Sequence, residues 1–340
     1  MKILIISPTI NGIGGIAQNT RDLIKFLKEH GHDVDVLSSE NTPIINIKKL
    51  KNPSFLISSF LKTKMMKKYD IIHSQHPIGS LAMKNLKGKK IVTFHGIYNQ
   101  QMGMLHGKSI SKLSNKLENN AIKYSDAVTT GSKESFNFYQ KFGPKVTFIP
   151  NGIDIDALPT GTDTRYEKQI IFVGRLSKEK GIETILQVAK TLPADIDLLI
   201  VGNGPEENNV KKTEIILKNV HYLGYLPKEK TIPLIRGSKL LIQPSFAEGI
   251  SSTLLEAMAT KTPVIASNVG GNIDLFENNE SGILIEPRNP ICLLNEIVSL
   301  LNDPIKLNQL SESAFKTVQK YNWKNIGQQY LGLYEKLLKI

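Results

Sequence analysis

The chain has 340 residues, 40% apolar and 22% charged, with 25 Gly and 16 Pro. That make-up excludes disordered, fibrous and collagen-like classes, and at about 150 residues per domain the length suggests two domains. No apolar run reaches the roughly 18 to 20 residues that cross a bilayer, the single Cys292 leaves no internal disulfide, and no Cys/His cluster offers a structural zinc site. The formal charge of +12 sits in the first part of the chain: residues 1–150 hold 22 Lys+Arg against 9 Asp+Glu, whereas 151–340 hold 21 against 22. Within 41–90 there are 11 Lys and one acid, Asp70, which points to an anionic partner of that part, or to a lysine-rich face kept for solubility.

Residues 1–10, with one Lys and Pro8 and no small-residue cleavage site, read as a buried strand rather than a signal peptide, and a cytoplasmic protein is expected. Strands are then expected at 2–6, 33–38, 70–73, 90–94, 126–130 and 146–149, with a helix at 15–29. The polar stretch PTGTDTR at 159–165 reads as a linker. A second series follows at 169–173, 196–201, 219–222, 239–242, 263–266 and 282–285, with helices between and two or three more from Pro290 onward. Ile- and Val-rich runs alternating with helical patterns predict an α/β fold of two doubly wound parallel-sheet domains facing a central cleft. The expected bounds are 1–160 and 161–321, with a last helix, 322–340, able to pack back on the first domain. Ligands of such sheets gather at the carboxyl ends of the strands.

The motif NGIGGI at 11–16 joins the first strand to a helix. Gly12, Gly14 and Gly15 let the backbone approach a phosphate or a sugar, and the helix terminus favours negative charge. The spacing is not a dinucleotide fingerprint, and no acid is expected at the end of the second strand, so a plain tight turn accounts for it equally well. More specific is GRLSKEKG at 174–181, which sets Arg175 and Lys180 at a strand end where a guanidinium fork and an ammonium could both reach a diphosphate. In QPSFAEGISSTLLEAMA at 243–259, Glu248 lies in a loop and Glu256 on a helix for which Ser251 is the expected cap. The two acids flank the free amides of that terminus, which would hold an anion between them.

The order of the GGI loop, FHG at 94–96, PNGID at 150–154, GRL with EKG, VGNGP at 201–205 and the glutamate pair resembles the family-four retaining glycosyltransferases of the GT-B fold, over nearly the whole chain. The resemblance implies two Rossmann-like domains and transfer of a sugar from a nucleotide-diphosphate donor to an acceptor hydroxyl, with retention at the anomeric carbon. It puts Arg175 and Lys180, with Gly14, Gly15 and Gly174 close by, at the donor diphosphate, and Glu256 at the ribose hydroxyls. Glu248 would hold sugar hydroxyls, the backbone of Gly249, Ile250 and Ser251 would turn to phosphate and sugar, and His95 would face the donor sugar. Residues 224–227 would lie by the base. Ile250 stands where the family often has an aromatic residue, and Arg288 where an acid is common. Independently of the family, breaking a sugar–phosphate bond builds negative charge on the diphosphate, which preplaced cations stabilise. No carboxylate pair of glycosidase type is evident, so a covalent double displacement is not demanded.

Three Asp-x-Asp pairs, Asp33 with Asp35, Asp154 with Asp156 and Asp195 with Asp197, fall outside the carboxyl ends of strands, and neither a metal nor a cofactor is expected. His73 and His76 lack a third ligand for zinc, and His76 is expected to line the acceptor side. Two other classes fit the architecture: a non-hydrolysing nucleotide-sugar epimerase, which needs acid/base carboxylates from both domains, and a non-catalytic nucleotide- or nucleic-acid-binding protein. Against nucleic acid, the lysines are not interleaved with aromatic platforms. Leu56, Phe60, Leu61 and Met65 fall on one helical stripe, with Lys62, Lys64, Lys67 and Lys68 at its end. Such a segment lies in an anionic lipid interface or packs on the sheet. The charge continues at Lys84, Lys87, Lys89 and Lys90, which tips the expectation toward peripheral contact with an anionic membrane and a lipid-linked acceptor, an acceptor glycan being the other choice.

Overall fold

A computed structural model describes the chain apart from Ile13, Asn46, Lys48, Lys49, Lys67, Gly107, Pro144, residues 277–279 and Ile340, and apart from the side chains of 101 and 104–113. The chain divides into two compact units, Met1–Gly152 with Trp323–Ile340, and Ile153–Asn322.

The first unit is built on β1 (Lys2–Ile6), β2 (Asp33–Leu37), β3 (Ile71–Ser74), β4 (Lys89–Phe94), β5 (Ala127–Thr130) and β6 (Lys145–Phe148), all parallel, in the order β2-β1-β3-β4-β5-β6. Runs such as KILII and AVTT are buried along almost their whole length because helices cover both faces of the sheet. These are α1 (Gly15–Glu29), α2 (Lys51–Thr63), α3 (Ser80–Lys84), α4 (Tyr98–His106), α5 (Lys108–Lys123) and α6 (Lys133–Tyr139). The second unit carries β7 (Gln169–Val173), β8 (Asp197–Val201), β9 (Val220–Gly224), β10 (Leu240–Gln243), β11 (Val264–Ser267) and β12 (Ile283–Ile285), again all parallel, in the order β12-β11-β10-β7-β8-β9. Its helices are α7 (Ile182–Ala189), α8 (Glu207–Ile216), α9 (Lys228–Gly237), α10 (Ser252–Ala259), α11 (Gly271–Leu275), α12 (Pro290–Leu301) and α13 (Pro304–Val318).

The last helix, α14 (Trp323–Leu338), belongs to the first unit. Trp323, Ile326, Tyr330, Tyr334 and Leu337 recur at helical spacing and pack with Leu23, Phe26 and Leu27 of α1 and Ile3 and Ile5 of β1. The Trp323 indole N–H donates to Asp22 Oδ2 at 3.2 Å. At the other boundary, 153–165 is part of the second unit rather than a linker. Arg236 on α9 binds the carbonyls of Pro159 and Gly161, and the Asp163 N–H donates to the Pro233 carbonyl at 2.9 Å. Polar composition marks this stretch as irregular, and those backbone partners fix it in place.

Each strand order reverses at one point, between β1 and β3 in the first unit and between β7 and β10 in the second. The loops leaving these pairs run in opposite directions and open a crevice at the carboxyl edge of the sheet, where ligands of doubly wound folds bind.

Candidate active site

In the second unit the reversal point is flanked by residues 174–181 after β7 and 244–251 after β10. The two loops touch. The Phe246 N–H donates to the Glu179 carbonyl at 2.7 Å, and a Cβ on Gly181, whose φ is +72°, would lie 1.8 Å from the Pro244 carbonyl oxygen. Across this contact the Lys180 ammonium meets Glu248 Oε1 at 2.6 Å. The same oxygen accepts from Gln243 Nε2 and the Ser245 hydroxyl, each at 2.8 Å. Only 7% of the Glu248 side chain is exposed, so three donors hold a nearly buried carboxylate by one oxygen, and Oε2 takes no part in these bonds.

Arg175 leaves the sheet one residue beyond Gly174, its side chain largely exposed and loosely paired with Glu179 at 3.7 Å. Gly174 is locked from behind: its N–H donates to the Val201 carbonyl at 3.0 Å, and a Cβ on Gly202 would fall 1.8 Å from its oxygen. The VGNGP turn therefore sets the height at which Arg175 and Leu176 emerge.

Ser251 occupies the N-cap position of α10 but does not cap it. Its hydroxyl pairs with the Gln243 amide instead, at 3.0 and 3.1 Å, so Ser251 leaves the first amides of α10 uncapped. Helix termini in that state favour an anion. Ile250 is 3% exposed and brings only its backbone to this loop. Gly249 and Ile250 sit against Gly271, where a Cβ would be 2.5 Å from the Gly249 carbonyl carbon. Glu256 is buried on α10 and held by Lys228 at 2.6 Å. Lys228 was not singled out in the sequence, although it directly follows the 224–227 stretch that was. Arg288, in left-handed backbone at φ +61°, lays its guanidinium over the Phe246 ring at 4.7 Å, which ties the loop after β12 to the one carrying Glu248.

Gly14, Gly15 and His95 are in the first unit. Gly14 precedes α1 at φ +125°, a conformation that suits glycine. Contrary to expectation, an acid does serve the loop from beyond β2: Glu40 Oε1 accepts from the N–H groups of Ile10 and Asn11 at 3.0 and 3.3 Å. Burial works to raise this carboxyl, and the bonds from Ser38, Ile10 and Asn11 outweigh it and hold the group below the usual range. Arg21 binds the carbonyls of Ile10 and Gly12 from the other side.

His95 follows β4, with both ring nitrogens shut off from solvent and without a hydrogen bond of full geometry. Burial lowers it to about 4, against the opposing pull of Asn151 and the Gln75 backbone, so it is a neutral imidazole at pH 7. It lines a small pocket with Ile16, His76, Thr93 and Tyr98. His76 accepts the Ile78 N–H at 3.2 Å and meets the edge of Tyr98 at 5.2 Å. His73 is a core residue, bonded to the Tyr334 and Thr93 hydroxyls at 2.7 Å each.

Two of the aspartate pairs, Asp33 with Asp35 and Asp195 with Asp197, lie in or just before strands and not at their carboxyl ends. Asp33 and Asp35 are in β2 and Asp197 starts β8; Asp35 bonds Tyr69, Asp195 pairs with Lys168, and Asp197 with His221. Among the described residues no cluster of three His, Cys, Asp or Glu could hold a metal ion, and no helix is long and apolar enough to cross a membrane.

Two family models match the chain, Glycosyltransferase Family 4 over residues 13–157 and Glycosyl transferases group 1 over residues 162–317. Between them they take in Gly14, Gly15 and His95 of the first unit and Arg175, Lys180, Glu248 and Glu256 of the second. The chain belongs to the family-four glycosyltransferases. A phosphatidyl-myo-inositol mannosyltransferase of Mycobacterium leprae is 23% identical, over 78% of this chain and 73% of that protein. The sucrose-phosphate synthase structure from Thermosynechococcus elongatus superposes with a TM-score of 0.85 at 21% identity, covering 99% of each chain. Anabaena HepE, solved in complex with UDP-glucose, gives 0.77 at 19% identity, covering 99% of this chain and 100% of that one. These likenesses establish the GT-B fold, and the glycosyltransferase carries its two crevices on the two sheets that this fold prescribes.

Proposed function

We propose that this glycosyltransferase takes a hexose from a nucleotide-diphosphate donor and passes it, with retention, to an acceptor hydroxyl. The observation that carries the proposal is the Lys180–Glu248 pair, with Arg175 beside it, at the point where the second unit's strand order reverses. Arg175, Lys180 and the uncapped start of α10 receive the diphosphate and stabilise the charge that grows on it as the glycosidic bond breaks. The free oxygen of Glu248 takes sugar hydroxyls, and Glu256, steadied by Lys228, takes the ribose. Glu248 is held by three donors through one oxygen, which suits it to bind hydroxyls and supports a mechanism in which the leaving phosphate accepts the acceptor's proton on the same face. His95, a neutral buried imidazole of the first unit, is assigned to hydrogen-bond a sugar hydroxyl. Side chains supply all of the cationic charge in this scheme, so transfer runs without a divalent metal.

A nucleotide-sugar donor is supported by HepE, solved with UDP-glucose. A lipid-linked acceptor, received by the first unit at the cytoplasmic membrane face, is supported by the mannosyltransferase that is named for phosphatidyl-myo-inositol. The test is a thermal-shift screen of UDP-, GDP- and ADP-sugars followed by NMR of the product's anomeric centre. A donor raises Tm through its affinity for the folded state, and an inverted product, or release of an epimerised donor without acceptor, overturns the proposal.

A further inference from the structure

Helix α2 is turned inside out. Its buried positions are Phe55, Ser59 and Thr63, while Ile57 and Leu61, one turn apart on the opposite side, are 59% and 54% exposed. The row continues beyond both ends, through Leu50 at 45% and Met65 at 91%, and Ile45 and Ile47 on the approach are exposed as well. The inner hydroxyls are spent locally: Ser59 donates to the Leu56 carbonyl at 3.2 Å, Thr63 to the Phe60 carbonyl at 2.9 Å, and Asn85 reaches the same carbonyl at 2.8 Å. The small polar face lets α2 lie close on α3, and Phe55 is its fully buried anchor in the core, with Leu56 packed beside it. The stripe expected to be continuous from Leu56 to Met65 therefore divides: Leu56 packs inward, Phe60 is half-buried with Lys64 over its ring, and Leu61 and Met65 join Ile57 in water.

Apolar rows of this length are rare on a soluble surface unless something covers them. Here the charge around the row is of one sign. Residues 41–69 contain seven Lys and no Asp or Glu. Of these, Lys62, Lys64 and Lys68 are exposed and Lys51 is half-buried. By helical angle Lys51 and Lys62 fall on one side of the Leu50–Ile57–Leu61 row and Lys64 on the other. A single convex ridge of large apolar side chains, flanked on both sides by ammonium groups, matches a lipid interface: the row enters the acyl boundary while the lysines stay with the phosphates. By contrast, Lys89 and Lys90 begin β4, and the Lys90 backbone bonds Asp126. They sit at the amino edge of the sheet and are no part of this surface. Lys67 lies outside the described residues.

We infer that the outer face of α2, with Leu50 and Met65, is a docking surface for an anionic bilayer. The surface deepens the lipid-linked reading of the acceptor, yet it stands on these exposures and not on the donor residues. The test is flotation of the full chain with phosphatidylcholine vesicles, with and without phosphatidylglycerol, alongside sedimentation velocity in the absence of lipid. Binding is expected only with the anionic lipid and is expected to fall as salt rises. It should drop about fivefold for each of Lys62→Gln, Lys64→Gln and Lys68→Gln, and by at least about tenfold in the triple variant Ile57→Ser/Leu61→Ser/Met65→Ser. The exposed pair Ile215 and Ile216 on α8 serves as control, since Ile215→Ser/Ile216→Ser should float like the parent. Donor binding, read by thermal shift, should be the same in all of them. Equal flotation with neutral vesicles, no flotation at all, an unaffected triple serine variant, or a lipid-free dimer dissolved by that variant each overturns the assignment. None of these outcomes touches the donor site, whose own failure would show as absent donor binding in the parent.

Discussion

The Lys228 ammonium stands 2.6 Å from Glu256 Oε1, with Glu256 only 8% exposed and Lys228 at the first turn of α9. The pair ties the start of one helix to the flank of another and leaves the second carboxylate oxygen for a ligand. Removing the carboxylate by Glu256→Ala should weaken donor binding by about 1.5–3 kcal/mol, the range for hydrogen bonds to charged groups. Lys228→Met removes only the orientation and should cost less. Because the lysine acts through the glutamate, the double variant should bind donor no worse than Glu256→Ala alone. Titration calorimetry with the donor found in the screen measures all three, and additive losses would separate Lys228 from Glu256.

A sharper contrast is expected at Lys180 and Glu248. Lys180→Met strips a nearly buried carboxylate of its cation, leaving Gln243 and Ser245 as partners, so both stability and donor affinity should fall. Breaking one side of a buried pair typically costs about 3–5 kcal/mol. Lys180→Met/Glu248→Gln removes both charges and should recover most of the stability while transfer stays lost. Urea unfolding and initial rates on the two variants check this. Recovery of rate along with stability would make the pair structural.

Much of this site was legible because the signals are local. The runs 3–6 and 170–173 are apolar without interruption, as a strand covered on both faces requires, and their ends fix where Gly14 and Arg175 must emerge. What the sequence did not disclose are contacts closed by the fold. Glu40 reaches Ile10 from 30 residues away, and nothing in its surroundings marks it as the partner of a glycine loop. Ser251 has a cap's position and a cap's chemistry, yet Gln243 at the end of β10 competes for its hydroxyl and wins. On α2, Leu56 and Phe60 form one apolar row and Ile57 and Leu61 another, and only Asn85 and α3 decide which is turned inward.

Chelation should leave transfer intact. The diphosphate charge is met by Arg175, Lys180 and the start of α10, while Asp195 and Asp197 are engaged elsewhere, with Lys168 at 2.6 Å and with His221 at 2.7 Å. Rates measured with excess EDTA should stay within about twofold of the untreated enzyme, a difference below roughly 0.5 kcal/mol in barrier. Loss of activity restored by magnesium or manganese would require a cation that this site does not account for.

Acid should destabilise the first unit before its carboxylates titrate. Burial, aided by the neighbouring His95, lowers wholly buried His73 to about 3, and burial lowers His95 to about 4, both from an ordinary 6.5. The unfolded chain therefore binds more protons than the folded one between about pH 6.5 and those values, and stability falls as pH drops through that window while staying flat above it. Each histidine contributes up to about 1.4 kcal/mol per pH unit. Glu118 works the other way, because burial, only partly offset by Tyr139 and the backbone of Asn99 and Tyr98, raises its carboxyl. Urea midpoints at pH 8, 7, 6 and 5 should thus show a slope that His73→Gln flattens.

Gly181 should prove essential to the donor site without touching a donor. At φ +72° it sits in left-handed backbone, and the Cβ of an alanine would meet the Pro244 carbonyl oxygen at 1.8 Å and its carbon at 2.6 Å. Neither atom is the tip of a flexible side chain, so the strand-end loops after β7 and β10 must part. Lys180 precedes Gly181 on one loop and Glu248 follows Pro244 on the other, so parting the loops pulls the ion pair open. Gly31 supplies the matched control: its φ is +76° and nothing lies within 4 Å of its added Cβ, so Gly31→Ala pays only the conformational cost of about 1–2 kcal/mol. Gly181→Ala should lose clearly more stability than Gly31→Ala in urea unfolding, and it alone should lose donor affinity by calorimetry. Equal losses in the two variants, with donor binding retained in both, would mean that the contact between the loops does not hold Lys180 against Glu248.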